Sequence, residues 1–261
     1  MKPALILSAT ILLTIALTAS FNSQSTDSST NGLVCKGSPR ECLDYMLNTY
    51  LKALLVHKPE ALPVAENIRF TENSADRKLG EGLWQTITKF DMTLGTKQEY
   101  IDVPQGIAAL HMVAMDGTSP VFFILRIKVV DRKITEAETH LIRSNPDGSR
   151  LDFNELNAFG WPMNLAPMPQ QLNSREELSR ISSQFLEAQK SGTVNAADSA
   201  IAADAYRIER GPKSEFTYRI EAIDEDLGLV WIRKDFANRL VWEGFKIYDG
   251  RIHATEGFSG T

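Results

Sequence analysis

Apolar and polar positions alternate along this chain with two different periods, and the switches between them mark its elements. Over residues 41–56, "ECLDYMLNTYLKALLV", the side chains of Leu43, Met46, Leu47, Tyr50 and Leu54 share one helical face, while Asp44, Asn48 and Lys52 fall elsewhere. That spacing predicts an amphipathic helix, ended at His57-Lys58-Pro59 because proline cannot continue it. A short apolar segment, 61–65, leads into "RFTENSADRKLGEGLW" (69–84). This stretch opens as a strand, turns at polar residues and reaches Trp84 past two glycines. From Gln98 the period becomes two. "EYIDV", "GIAALHMVAM", "PVFFILRIKVV" and "ITEAETHLI" read as strands, with a hairpin at Asp116-Gly117 and another turn over 131–133. Residues 144–172 hold Pro146, Pro162, Pro167 and Pro169 and read as a linker held down by Phe153, Phe159 and Trp161. A second amphipathic helix begins near Ser174, with Glu176 and Glu177 suited to its first turn, and runs to about Lys190. "FTYRIEAI", "LGLVWIRKDF", "RLVWEGFKIY" and "RIHATEGF" follow as strands, the last two joined at Asp249-Gly250.

The two halves echo each other. "FLEAQKSGTVNAADSAIAADAYRIE" (185–209) has the layout of "YLKALLVHKPEALPVAENIRFTEN" (50–73), and "FKIYDGRIHATE" (245–256) that of "IKVVDRKITEAE" (127–138). Few identities support the match, but element order and turn positions coincide. The pattern predicts two copies of one α+β unit of about 100 residues each, over 35–143 and 174–261, with the linker at 144–173 between them.

The first twenty residues change the picture of where the chain works. Lys2 precedes a fourteen-residue apolar run, Ala4–Leu17, followed by small residues at 18–20. This is a secretory signal pattern, too short for a membrane span of roughly 20 residues. Residues 21–34 read as a disordered polar tether. A secreted or periplasmic location follows, with no membrane contact after signal removal. The formal net charge is −5 and no basic cluster stands out, which disfavours nucleic acid as a partner. Two cysteines, Cys35 and Cys42, are an even count in an exported chain and predict a disulfide; two free buried thiols are the other reading. They make at best half a zinc site, and the histidines at 57, 111, 140 and 253 have no zinc-like spacing. No nucleophile, phosphate or dinucleotide motif occurs, so no metal and no cofactor is expected.

A helix, a break, a strand with an acidic end and a curved meander closing in "LRIKVVDRKITEAET", together with "YLKALLVHKPEALPVAENIRFTEN" and "LGEGLW", resemble the nuclear-transport-factor-2-like superfamily. The likeness is to its SnoaL-like and ketosteroid-isomerase-like branch, over about 41–143 and more faintly over 174–258. The resemblance implies two tandem cone-shaped α+β domains, each a curved antiparallel sheet wrapped around helices, the second degenerate. It also implies a pocket between sheet and helices. Tyr50 falls where that pattern carries an inward phenol and Glu72 where it carries a carboxylate base, while Leu125 stands where the third group, an acid, belongs.

Glu72 as base and Tyr50 as hydrogen-bond donor would suit proton abstraction next to a carbonyl. Their alternatives are a surface pair of Glu72 with Arg69 or Arg77 and a core tyrosine with a satisfied hydroxyl. His111 shares a strand face with Ala109, Val113 and Met115 and is a further catalytic candidate. Phe70, Trp84, Leu125 and Arg126 are expected around the pocket, with core packing an equal alternative for Trp84, and a stem covering a sheet face the alternative for Arg126. His57 at a helix C-terminus suits the macrodipole. Glu136, Glu138 and His140 alternate on one strand face, toward solvent or the other half. In the second copy Phe185 replaces the tyrosine, and Ile208 with Glu209 one residue along falls near the glutamate. The function expected is a cofactor-independent lyase or isomerase on a small, largely apolar organic molecule. The rival is a non-catalytic module that binds a small hydrophobic ligand or serves assembly, its halves mimicking a dimer within a monomer or associating as a homo-oligomer.

Overall fold

Ser38 sets the start of the first helix, α1 (Pro39–Leu55). Its hydroxyl accepts from the Glu41 amide at 3.3 Å, and the Glu41 carboxylate accepts from the Ser38 amide at 2.6 Å. Two donors that a helix end leaves orphaned are thereby satisfied. The disulfide Cys35–Cys42 closes a loop across this start. Ser174 and Glu177 repeat the same reciprocal cap on α3 (Arg175–Ser191), which ends at Gly192 in the left-handed region at φ 75°. The computed structural model describes residues 35–93, 97–151, 153, 162–194, 200–206, 208, 214–237 and 239–260. The signal segment and tether expected before Cys35, and Phe159, Trp161 and Glu209, lie outside these residues.

Two sheets follow the two helices. The first contains β1 (Val64–Glu72), β2 (Ala75–Arg77), β3 (Ile87–Phe90), β4 (Gln98–Asp102), β5 (Ile107–Asp116), β6 (Ser119–Val130) and β7 (Lys133–Ile142). Its order is β2-β1-β7-β6-β5-β3, with β4 also on β5. A one-turn helix, α2 (Leu83–Thr86), precedes β3. The second sheet contains β8 (Ile201–Tyr206), β9 (Thr217–Asp224), β10 (Leu229–Asp235), β11 (Leu240–Tyr248) and β12 (Arg251–Gly260), in the order β8-β12-β11-β10-β9. The fold is therefore α+β, and both sheets are mixed where the sequence predicts purely antiparallel ones. In each, the strand that enters before the meander lies parallel to the meander's last strand: β1 on β7 and β8 on β12. No hairpin joins those pairs, so direction is set by the long connection and not by a tight turn. Apart from β3 on β5, with β4 between them in the chain, hairpins join the remaining pairs. Asp131 and Arg132 (φ 49° and 62°) and Asp249 and Gly250 (φ 51° and 72°) take left-handed conformations, as two-residue hairpin loops require.

Period-two alternation assigns each strand two faces. Ala108, Leu110, Met112 and Ala114 of β5 join Leu47, Tyr50 and Leu54 of α1 in one core. Ala109 and Val113, from the same strand, pack with Trp231, Trp242 and Phe258 of the second sheet in another. Phe185 and Ile181 of α3 cover the far face of that second sheet, against Ile232 and Phe245. The described residues thus form one compact unit of four layers: helix, sheet, sheet, helix.

The sheet-to-sheet contact is reciprocal. Arg40 of α1 forms a two-pronged pair with Asp224 of β9, at 2.7 and 2.8 Å. Arg175 of α3 forms the same pair with Asp102 of β4, at 2.9 and 2.7 Å. Asp224 also accepts from the Ile101 amide (3.0 Å) and Asp102 from the Ile223 amide (2.9 Å). Each aspartate further holds its own turn, Asp102 through the Gln105 amide and Asp224 through that of Leu227. Gly106 and Gly228 close those turns at φ 64° and 61°, and their carbonyls accept from Val129 and Ile247 at 2.7 Å each. Both aspartates are almost fully buried, which ionised carboxylates tolerate only with this degree of pairing.

Candidate functional site

Beneath α1 the chain brings five of the expected residues together. Tyr50 projects from the helix into the first core and its hydroxyl accepts from the Trp84 indole N–H at 3.2 Å. Their rings meet edge to face at 5.2 Å. β1 delivers Glu72 opposite Thr139 of β7, and the Glu72 carboxylate accepts from the Leu83 amide at 2.8 Å. That amide lies at the start of α2, which Gly82 opens at φ 65°; a Cβ on Gly82 would run into the Glu72 carboxylate. Burial raises the Tyr50 phenol above its ordinary pKa, and the negative charge of Glu72 adds to this. Phe70 and Leu125 belong to the same cluster. Tyr50, Phe70, Trp84 and Leu125 are 0–3 % exposed, so these groups use one another as partners and are sealed from solvent. The His57 ring meets the Trp84 carbonyl at 2.5 Å and so fastens α2 to the end of α1.

His111 and Arg126 face the other way. Arg126 follows Leu125 directly, and neighbours on a strand point to opposite faces. His111 lies between the sheets, 3.3 Å from the Glu256 carboxylate and in ring contact with Tyr100, Trp231 and Phe258. Tyr100 stacks on Trp231 at 4.5 Å, and Gly244 leaves room for its hydroxyl. Glu136, Glu138 and His140 also face the second sheet: Glu136 pairs with Arg126 at 2.9 Å, Glu138 with Arg233 at 2.6 Å, and His140 lies beside Trp242. Burial, helped by Arg233, lowers the His140 pKa to about 4. Among the described residues, no group of three His, Cys, Asp or Glu side chains is placed to hold a metal ion.

An open space lies in this layer. Where β9 crosses β6, β7 and β1, a cleft of about 760 Å³ opens between the sheets. Arg126, Lys128 and Glu136 form its floor, Arg219 and Glu221 its wall, and Asp102 with Arg175 its end. It adjoins a smaller space of about 370 Å³ that shares Arg69, Thr71, Glu138 and Arg219. Glu221 is 4 % exposed and is flanked by Arg126 at 3.1 Å and Arg219 at 2.5 Å. Burial outweighs both guanidiniums and holds this carboxyl above the usual carboxylate range. A buried carboxylate with a raised pKa at a cleft wall is the kind of group that marks a binding or reaction site.

No family model matches the chain, and no curated protein does either.

Several buried polar groups have no place in the sequence-based expectations, among them Glu221, Glu256 and the pair Lys234–Glu243 beneath α3, at 2.5 Å with Gln189 alongside. Glu243 holds the place in β11 that Leu125 holds in β6, since Leu125 faces Leu110 across its ladder and Glu243 faces Ile232. The second half thus carries an acid at the position where the first has Leu125. The signal was in the sequence: a charge inside an apolar strand, as at Glu221 in "RIEAI" and Glu243 in "LVWEGF", has to find a partner when it is buried.

Proposed function

We propose that this protein is an exported, non-catalytic binding module. Its two halves are tandem nuclear-transport-factor-2-like cones that meet as two subunits of a dimer would, and its ligand site is the charged cleft between the two sheets. The observation that carries this reading is the raised Glu221 carboxyl at the wall of the 760 Å³ cleft. The space beneath α1, by contrast, is occupied by side chains bonded to each other. A charged lining suits a polar ligand better than the small hydrophobic one expected from sequence. The reciprocal Arg40–Asp224 and Arg175–Asp102 pairs support the dimer-like arrangement. The Cys35–Cys42 bond supports an oxidising compartment, and no helix among the described residues is long and apolar enough to cross a membrane.

One observation favours acid–base chemistry instead: the negative charge of Glu72 raises the pKa of the Tyr50 phenol. The two readings separate by mapping amide and indole NMR shifts of the full chain against a panel of neutral, anionic, cationic and zwitterionic fragments. The binding-module reading expects perturbations at Arg126, Arg219 and Glu221, unchanged in Glu72→Gln. Perturbations centred on Tyr50, Glu72 and Trp84, lost in Glu72→Gln, would overturn it in favour of the pocket beneath α1.

A further inference from the structure

The two halves treat the same strip of sheet differently. Lys128 of β6 and Lys246 of β11 occupy matching positions. Each immediately precedes the residue whose amide bonds to the turn glycine, Gly106 or Gly228, and each sits at a register shift in its ladder. In the second half this strip is covered by the chain's own segment 162–168. The Lys246 ammonium donates to the carbonyls of Met163 and Leu165 in that segment, and to that of Leu227. Met163 is buried against the gap left by Gly244, and Pro167 reaches Gly228. In the first half the matching strip is the floor of the open cleft. The Lys128 ammonium there has Glu136 at 4.0 Å, and about a third of its side chain is exposed.

We propose that the cleft takes up an extended peptide segment of another polypeptide, in the manner of segment 162–168 in the other half, with Lys128 donating to its backbone carbonyls. The proposal rests on the reading that this cleft is the ligand site and adds the class of ligand. Two further features specify the peptide. Among the described residues β9 is the outer strand of its sheet, and Thr217–Glu221 and Ile223 border the two adjoining spaces. At about 3.3 Å per residue this wall is about 20 Å long, the reach of six or seven extended residues. An unpaired strand edge offers backbone donors and acceptors to such a segment. The floor and wall carry both signs of charge, Arg126 and Lys128 beside Glu136 and Glu138, with Arg219 beside Glu221. They therefore match a peptide that alternates lysine and glutamate, and would repel in part any ligand of a single sign.

The test uses the full chain, labelled for NMR, and two capped heptapeptides. Both carry valine and threonine on one face; one has Lys-Glu-Lys-Glu on the other, and the second has the opposite phase. The expected result is saturable binding of at least one peptide. Shifts should fall at Arg126, Lys128 and Thr217–Glu221, and amide exchange along β9 should slow. Lys128→Gln should weaken binding about tenfold, the cost of one charge-assisted hydrogen bond, while Lys128→Arg restores most of it. Failure of both peptides to saturate at millimolar concentration overturns the proposal, as do shifts away from β9 or equal affinity in Lys128→Gln. If small fragments perturb Arg126 and Glu221 and neither peptide binds, the peptide proposal fails alone. If fragments perturb Tyr50 and Trp84 instead, the site assignment beneath it fails.

Discussion

Tyr50 shows at the scale of one residue how a candidate catalytic group also holds its surroundings together. Its hydroxyl is the acceptor for the Trp84 indole N–H, and both rings are sealed in the core. Tyr50→Phe keeps the ring and strands that donor, so it should cost about 1–2 kcal/mol in urea unfolding; a loss below a few tenths would show that the bond contributes nothing. His140 gives a residue-scale prediction with a sign. Its folded pKa is lowered from 6.5 to about 4, so between those values the unfolded chain binds more protons than the folded one. Stability should therefore fall as pH drops through that window and be unaffected by this group above it. His140→Gln should flatten the profile, by on the order of 2 kcal/mol at the acid end. An identical pH profile in wild type and variant would contradict the assignment.

Elements were the most legible scale in the sequence. Ser38 and Ser174 with their glutamates announce both helices, the paired turn residues announce the hairpins, and strand alternation announces two-sided burial. What alternation does not say is which face meets which layer. Leu125 and Arg126 are both expected at one pocket, yet adjacent strand residues diverge, and only the packed second sheet gives Arg126 its partner Glu221, beside Glu136 of its own sheet. The parallel pairings β1–β7 and β8–β12 were equally hidden, because nothing local fixes a long connection's direction. Glycines in the two matching turns carry the element-scale prediction. A Cβ at Gly106 would meet the Val129 carbonyl and one at Gly228 the Ile247 carbonyl, both at positive φ. Gly106→Ala and Gly228→Ala should each destabilise by at least about 2 kcal/mol, while Gly117→Ala, whose added methyl meets open space, should cost less.

The whole molecule depends on contacts that no local pattern announces. Arg40 and Asp224 lie 184 positions apart, and Arg175 and Asp102 lie 73 apart. Arginine in the first turn of a helix even opposes the macrodipole, a local oddity that the buried aspartate of the other half explains. The echo between the halves was readable in turn positions; their reciprocal docking was not, since it needs the two sheets face to face. The cleft exists only because both halves frame it, so the functional reading stands or falls with that docking. The most direct measurement is urea unfolding of the full chain and of Asp102→Asn and Asp224→Asn, followed separately through the indole signals of Trp84 and of Trp231 and Trp242. One coincident transition for all three tryptophans is predicted, with each substitution lowering stability of the whole by a similar amount, about 3 kcal/mol. Separate transitions for the two halves, or a substitution that destabilises one half and leaves the other unmoved, would contradict the account.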